Sequence, residues 1–171
     1  MSDLILGNTT VMTESGGTAS LSSGLLNNTQ FPDGHVLQVV QQQHTSGSIS
    51  TASGTPVETG LIASLPNLKS NTNKIFISLN GGESDCNGAG NRYLYFYQSI
   101  NSASYTAIPN ALFGQYIGST STSRVPCSYQ WLYSPNTTLQ ISIQVYMHVS
   151  ANTHWLTNGR VTTLTLMEIA A

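Results

Sequence analysis

Charge is what this sequence has least of. Five Lys and Arg against seven Asp and Glu leave 171 residues with 7% charged side chains and a net charge of −2, where about 25% is usual for a soluble protein. With so few cations there is no basic patch to release counterions from a phosphate backbone, so nucleic acid is not an expected partner. Cysteine is scarce too. Cys86 and Cys127 are the only two, too few for a disulfide scaffold, and are expected as small buried or half-buried side chains of a chain folded in a reducing cytosol. A disulfide between them stays open, because their separation in space is not written in the sequence. No run approaches the roughly 20 apolar residues that span a bilayer. Residues 1–6 lack the basic segment and long apolar stretch of a secretion signal, so the mature chain is expected to start at Met1, with no membrane partner. No ten-residue window keeps a helical period, which speaks against a bundle or coiled coil.

What the chain has in abundance is uncharged polarity. About a third of it is Ser, Thr or Asn, beside 39% hydrophobic residues, a mixture suited to strands and turns rather than to exposed helix faces. The clearest segment is 139–149, where Leu139, Ile141, Ile143, Val145, Met147 and Val149 alternate with Gln140, Ser142, Gln144, Tyr146 and His148. A strand sorts these into two faces; a helix would scatter them. Residues 35–43, 61–65 (stopped by Pro66), 74–80, 92–100, 128–134 and 161–169 read the same way. In 92–100, Leu94, Phe96 and Ile100 oppose Tyr93, Tyr95 and Tyr97, and in 128–134 Tyr129, Trp131 and Tyr133 share one side. Strands separated by Gly, Asn and Pro turns predict an all-β fold, an antiparallel β-sandwich of jelly-roll type over residues 35–171.

Residues 1–34 differ. Leu4, Ile5, Leu6, Val11, Met12, Leu25 and Leu26 sit in short apolar groups among Gly, Ser, Thr and Asn, with neither period sustained. The segment is expected to be an extended N-terminal arm that docks through those residues on a neighbouring chain or larger assembly, ending at the turn-forming Phe31-Pro32-Asp33-Gly34. A lone sandwich normally dresses its outer faces with Lys and Glu. Here the second face of each strand is Tyr, Gln, Ser and Thr, so homo-oligomerisation is expected, with Tyr93, Tyr95, Tyr97, Tyr129, Trp131 and Tyr133 as the subunit interface. A monomer with a Ser/Thr surface is the alternative.

Several segments carry a resemblance. Val36-Leu37-Gln38-Val39-Val40, Thr59-Gly60-Leu61, 70–77 (SNTNKIFI), Asn91-Arg92-Tyr93, 132–138 (LYSPNTT) and 164–171 (LTLMEIAA) resemble, in the same order, pieces of a family of tailed-bacteriophage virion proteins from phages of aquatic bacteria, described as tail-fibre or structural proteins. The closing Met167-Glu168-Ile169-Ala170-Ala171 is the most specific piece. The resemblance implies a trimeric β-sandwich module, made in the host cytoplasm and displayed on the outside of a virion.

Patterns for chemistry are few. There is no Gly-x-Ser-x-Gly elbow, His-Glu-x-x-His, P-loop or Cys-x-x-Cys. Glu83 and Asp85 could form a glycosidase-type pair, but a turn with two acids is more often solvated surface. Residues 85–90 (DCNGAG) open like a calcium loop and then fail, with Ala89 where an oxygen ligand belongs and Phe96 at the twelfth position; a Gly-rich hairpin turn is expected instead. His35, His44, His148 and His154 lack ligand spacing, so no metal and no cofactor is expected. Arg92, Arg124 and Arg160 are expected in salt bridges to Glu83, Asp85 or Glu168. Asn8, Asn27 and Asn136 each begin an Asn-x-Thr triplet, read as chance matches without a secretion signal. In the loop-like 151–159, His154 and Trp155 are the expected ligand contact, because an exposed aromatic there has no packing role.

Two functions follow as expectations, neither of them an enzyme. In the first, the chain is a homotrimeric capsid decoration or cement protein whose arm staples it to the major capsid protein while the sandwich projects outside. In the alternative, it is a short tail fibre or receptor-binding tip, plugged into a tail adaptor and contacting a host surface glycan. A polysaccharide depolymerase would need a better carboxylate pair than the sequence offers.

Overall fold

The best-marked alternation becomes the central strand of a sheet. The computed structural model describes residues 2–6, 9–15, 18–21, 32–45, 47–86, 88–117, 125–156 and 160–171. In it Ile141, Ile143, Val145, Met147 and Val149 are at most 1% exposed. The strand begins at Ile141 rather than at Leu139: the Leu139 N–H donates to the Thr137 hydroxyl in a local turn, and the Leu139 side chain is exposed.

In chain order the strands are β1 (Ser2–Leu6), β2 (Thr9–Ser15), β3 (Thr18–Leu21), β4 (Val36–His44), β5 (Ser50–Thr51), β6 (Val57–Leu65) and β7 (Lys74–Cys86), followed by β8 (Gly90–Ile100), β9 (Thr106–Ile117), β10 (Val125–Tyr133), β11 (Ile141–Val149), β12 (His154–Trp155) and β13 (Thr162–Ile169). The described residues contain no helix. β4, β13, β7 and β10 pair antiparallel in that order as sheet I, and β12 and β5 continue it beyond a bend in β7. β6, β11, β8 and β9 pair antiparallel as sheet II. The sheets pack on each other as a β-sandwich. Ile75, Ile77, Leu79, Leu164 and Leu166 from sheet I meet Leu61, Leu65, Leu94, Phe96 and Ile143 from sheet II. Each such side chain contributes about 1.5–3 kcal/mol relative to exposure, and together they hold the layers.

The bend in β7 has a local cause. Gly81 has φ +89°, and a Cβ there would lie 2.5 Å from the Val161 carbonyl oxygen, a conformation and an approach that glycine alone accepts cheaply. The neighbouring Gly82 N–H donates to that oxygen at 2.7 Å. Opposite, β10 slips register between Pro126 and Cys127. Past the bulge β7 runs on to Cys86 and pairs with β12.

Several expectations change. β6 starts at Val57, four residues early, and β9 is a strand that alternation does not reveal, because Pro109, Asn110 and Gly114 interrupt it. Asn110 takes a left-handed φ of 60°, and the register shift opposite Tyr95 to Tyr97 absorbs the irregularity. The segment joining β7 to β8 is not a hairpin turn, since the two strands belong to different sheets. Cys127 is a free, buried thiol, so the Cys86–Cys127 disulfide is not formed. Within the expected arm, β1, β2 and β3 form a three-stranded antiparallel sheet of their own rather than an extended run. The dipeptides that stand between them in the sequence, Gly7-Asn8 and Gly16-Gly17, are a turn signal that a search for long periods passes over.

Candidate interaction faces

The few ions of the sandwich are partly used inside it. β4, β9, β10 and β11 contain no Asp, Glu, Lys or Arg. Of the charged residues on the other strands, Arg92 and Glu168 are fully buried. Glu168, expected to pair with an arginine, instead accepts from the Lys69 backbone N–H at 2.7 Å, from the Asn73 amide at 2.6 Å and from the Gln38 amide. It ties β13 to β4 and to the 66–73 connection, and the chain end is fixed beside it by Gly34 N–H to Ala170 O and Thr72 hydroxyl to Ala171 O.

Arg92 extends along the inner side of β8 and donates to Gln115 Oε1 at 2.6 Å. Beside it, burial pushes the Cys127 thiol pKa up, and the charge and hydrogen bond of Arg92 partly offset this. Burial, and then Arg92, push His154 below the ordinary histidine range. His154 is therefore a neutral interior group on a short paired strand. The expectation that His154 is an exposed ligand contact is overturned: within 151–159, His154–Trp155 pair with β5 and β7, and His154 and Leu156 are fully buried. The Trp155 side chain lies outside the described part of the molecule.

The outer face of sheet II carries aromatic side chains. Register places Tyr93 opposite His148 and Tyr95 opposite Tyr146. The His148 ring lies between those of Tyr93 and Tyr95, with centroids at 4.5 and 5.3 Å, and Tyr146 stacks on Tyr97 at 3.9 Å. Tyr93 also covers Gly114, where a Cβ would come within 3.3 Å of its ring. Burial under these rings lowers the His148 pKa and raises those of Tyr95 and Tyr146. The rings turn much of their π-surface toward one another, an arrangement worth about 0.5–1.5 kcal/mol per pair beyond area burial. On the adjoining β9, Leu112 is 46% and Tyr116 68% exposed.

The aromatic set expected as one interface is thus split. Tyr93, Tyr95 and Tyr97 face outward. Tyr129 points into the core, stacked between Phe96 at 4.7 Å and Phe113 at 5.3 Å, and burial pushes its pKa up to about 12. Trp131 and Tyr133 follow it, packed against the same core, with the Tyr133 hydroxyl donating to Gln98. Tyr129 is thereby enclosed, while Trp131 and Tyr133 remain half-buried at the core's margin. Tyr146 and His148 escape a reading of the sequence as site residues: both stand on the polar side of the 139–149 alternation, but their neighbours across the sheet are not readable from one strand.

Among the arm residues, Leu4 and Ile5 are exposed and Met12 is half-buried. Leu25, Leu26 and Arg124 lie outside the described residues, as do the side chains of Leu6, Val11, Glu83, Asp85 and Cys86. His35, at the entry to β4, reaches the Pro32 carbonyl, and His44 ends the same strand; no cluster of three metal-ligating side chains occurs among the described residues. An open cleft of about 520 Å³ lies at the end of β6, lined by Ser64, Pro66, Asn67, Lys69 and Gln140. Compared with protein-family models and with curated proteins, the sequence matches none.

Proposed function

We propose that the chain is a structural protein of a tailed-phage virion, a homotrimeric capsid decoration or cement protein whose sandwich stands outside the shell and whose residues 1–34 serve as the attachment arm. The observation that carries this is the outward chemistry of the sandwich. Two of its few ions are buried, four of its long strands have none, and Val39, Leu112, Tyr116 and Leu132 are all exposed. Such faces suit contact with sister copies and a larger assembly better than solitary life in solution.

A jelly-roll reading fits this role. Taking β4, β6, β7, β8, β9, β10, β11 and β13 as strands one to eight, sheet I has the order 1-8-3-6 and sheet II 2-7-4-5, the strand exchange of two Greek keys that recurs in capsid and lectin domains. The phage assignment draws on the sequence resemblance, above all 167–171, whose Glu168 anchors the chain end. Sedimentation of the purified chain tests the oligomer: a particle of three 18.3 kDa chains is expected, and a monomer at all concentrations sinks it. Copy number in purified virions tests the location, since cementing needs one module at each repeated shell site and a tail tip needs few.

One observation favours the receptor-binding alternative. Tyr116 is highly exposed and stacks on no other ring among the described residues, leaving a face on which a sugar of a host glycan can lie. Loss of host-cell binding by Tyr116→Ala virions, with unchanged assembly, would favour that reading.

A further inference from the structure

The edges of the two sheets differ. Among the described residues four long strands are paired on one side only: β6 and β9 in sheet II, β4 and β10 in sheet I. An open edge is a template for another strand, and proteins blunt theirs with bulges, Pro and charge. Sheet II follows that rule. β6 bulges at Gly60 (φ +73°), where the register slips between Gln144 and Tyr146, and β9 bulges at Pro109 and Asn110. Sheet I does not. β4 pairs residue for residue with β13 from Gln38 to His44, and β10 with β7 from Cys127 to Tyr133. Neither seven-residue run contains Pro, Gly or a charged side chain.

The two runs also occupy the same rows of the sheet. Gln38 and Tyr133 share the row of Ile75, and His44 and Cys127 that of Gly81. Between them, the outer-face rows read Val39, Met167, Phe76, Leu132; then Gln41, Thr165, Ser78, Gln130; then Gln43, Thr163, Asn80, Ser128. The apolar row ends on Val39 at 55% and Leu132 at 54% exposure, one at each edge.

We infer that β10 of one copy pairs antiparallel with β4 of the next, in the register that sets Leu132 beside Val39, Gln130 beside Gln41 and Ser128 beside Gln43. This rests on the homotrimer reading and names the surfaces that meet in it. β4 runs parallel to β7 and β10 antiparallel to it, so the edges meet correctly without either copy turning over. That is a heterologous contact, which forms a ring when its rotation closes. A second copy is the occupant because the chemistry matches end to end: apolar against apolar, amide against amide able to form a ladder, and no charge in either run to select an ionic partner. Main-chain pairing over seven residues supplies the affinity.

Gln41 and Gln130 are both exposed, so charge can be placed there without touching the core. In Q41K/Q130K two lysines face each other at every contact; in Q41K/Q130E the pair is opposite in sign. With circular dichroism confirming the fold, sedimentation equilibrium is expected to show trimers for the wild type and Q41K/Q130E, and association roughly tenfold weaker or worse for Q41K/Q130K. Unchanged association of Q41K/Q130K overturns the edge contact while leaving the homotrimer intact. Equal dissociation of both double variants overturns the register. A monomeric wild type overturns the homotrimer reading itself.

Discussion

Sheets I and II are built from the same uncharged vocabulary, yet they finish their surfaces in opposite ways. Sheet II satisfies its outer face internally, with Tyr93, His148 and Tyr95 stacked in one group and Tyr97 on Tyr146, and its edge strands bulge at Gly60 and at Pro109-Asn110. Sheet I leaves an apolar row running to both edges and keeps a regular seven-residue run on each, its register shifts lying at the strand ends. The contrast teaches that low charge alone does not mark an interface. What matters is whether neighbouring side chains already occupy one another and whether the backbone at the edge is still free.

The severest challenge is aimed at the core that both sheets share. Ile143→Asp places an unpaired carboxylate at a position with no exposure and is expected to remove several kcal/mol, enough to unfold the domain, as read by thermal denaturation. A cooperative melt near that of the wild type would mean that the inner faces are misassigned. Next comes Gly81→Ala. Its positive φ and the 2.5 Å approach to Val161 O predict a loss of about 2–3 kcal/mol in denaturant unfolding, whereas Gly60→Ala, with open space at its Cβ, loses less. Equal losses would show that strain is carried by φ alone.

The stacked rings of sheet II come third. A double-mutant cycle on Tyr97→Ala and Tyr146→Ala is expected to return a coupling of about 0.5–1.5 kcal/mol; zero coupling would make the outer face of sheet II as unoccupied as that of sheet I. The smallest effect is a pH dependence. Burial lowers the pKa of His154, and Arg92 adds to this, while burial lowers that of His148. The folded state therefore binds fewer protons than the unfolded chain below the ordinary histidine value of about 6.5. Stability is full above that value and falls as pH drops from it toward the lowered folded pKa. Urea midpoints should decline between about pH 7 and 5, with no decline meaning that the histidines take up protons freely in the fold.

Much of the fold is legible in the order of the residues. The alternation in 139–149 specifies β11 and its inward face, and Ile75, Ile77 and Leu79 specify that of β7, because side-chain period is a local property of an extended chain. β9 is hidden by its own bulge, and β12 by its shortness. Tyr129 and Tyr93 look alike in their strands, since both begin a Tyr-x-aromatic-x-Tyr pattern, but one faces Phe96 and the other faces outward. Arg92 has the look of a surface ion seeking a carboxylate and proves to be interior.

Local pattern is enough to establish that this protein is built of strands, which residues of its clearest strands turn inward, and that it has little charge to place outside. Packing settles which strands are neighbours, and with that the burial of Arg92, Glu168 and His154, the stacking of Tyr146 and His148 on β8, and the alignment of β4 with β10 across sheet I. The difference is one of range. Alternation is set by the pleat between adjacent residues, whereas register joins segments as far apart as Gln38 and Glu168, and is fixed only when the two layers pack.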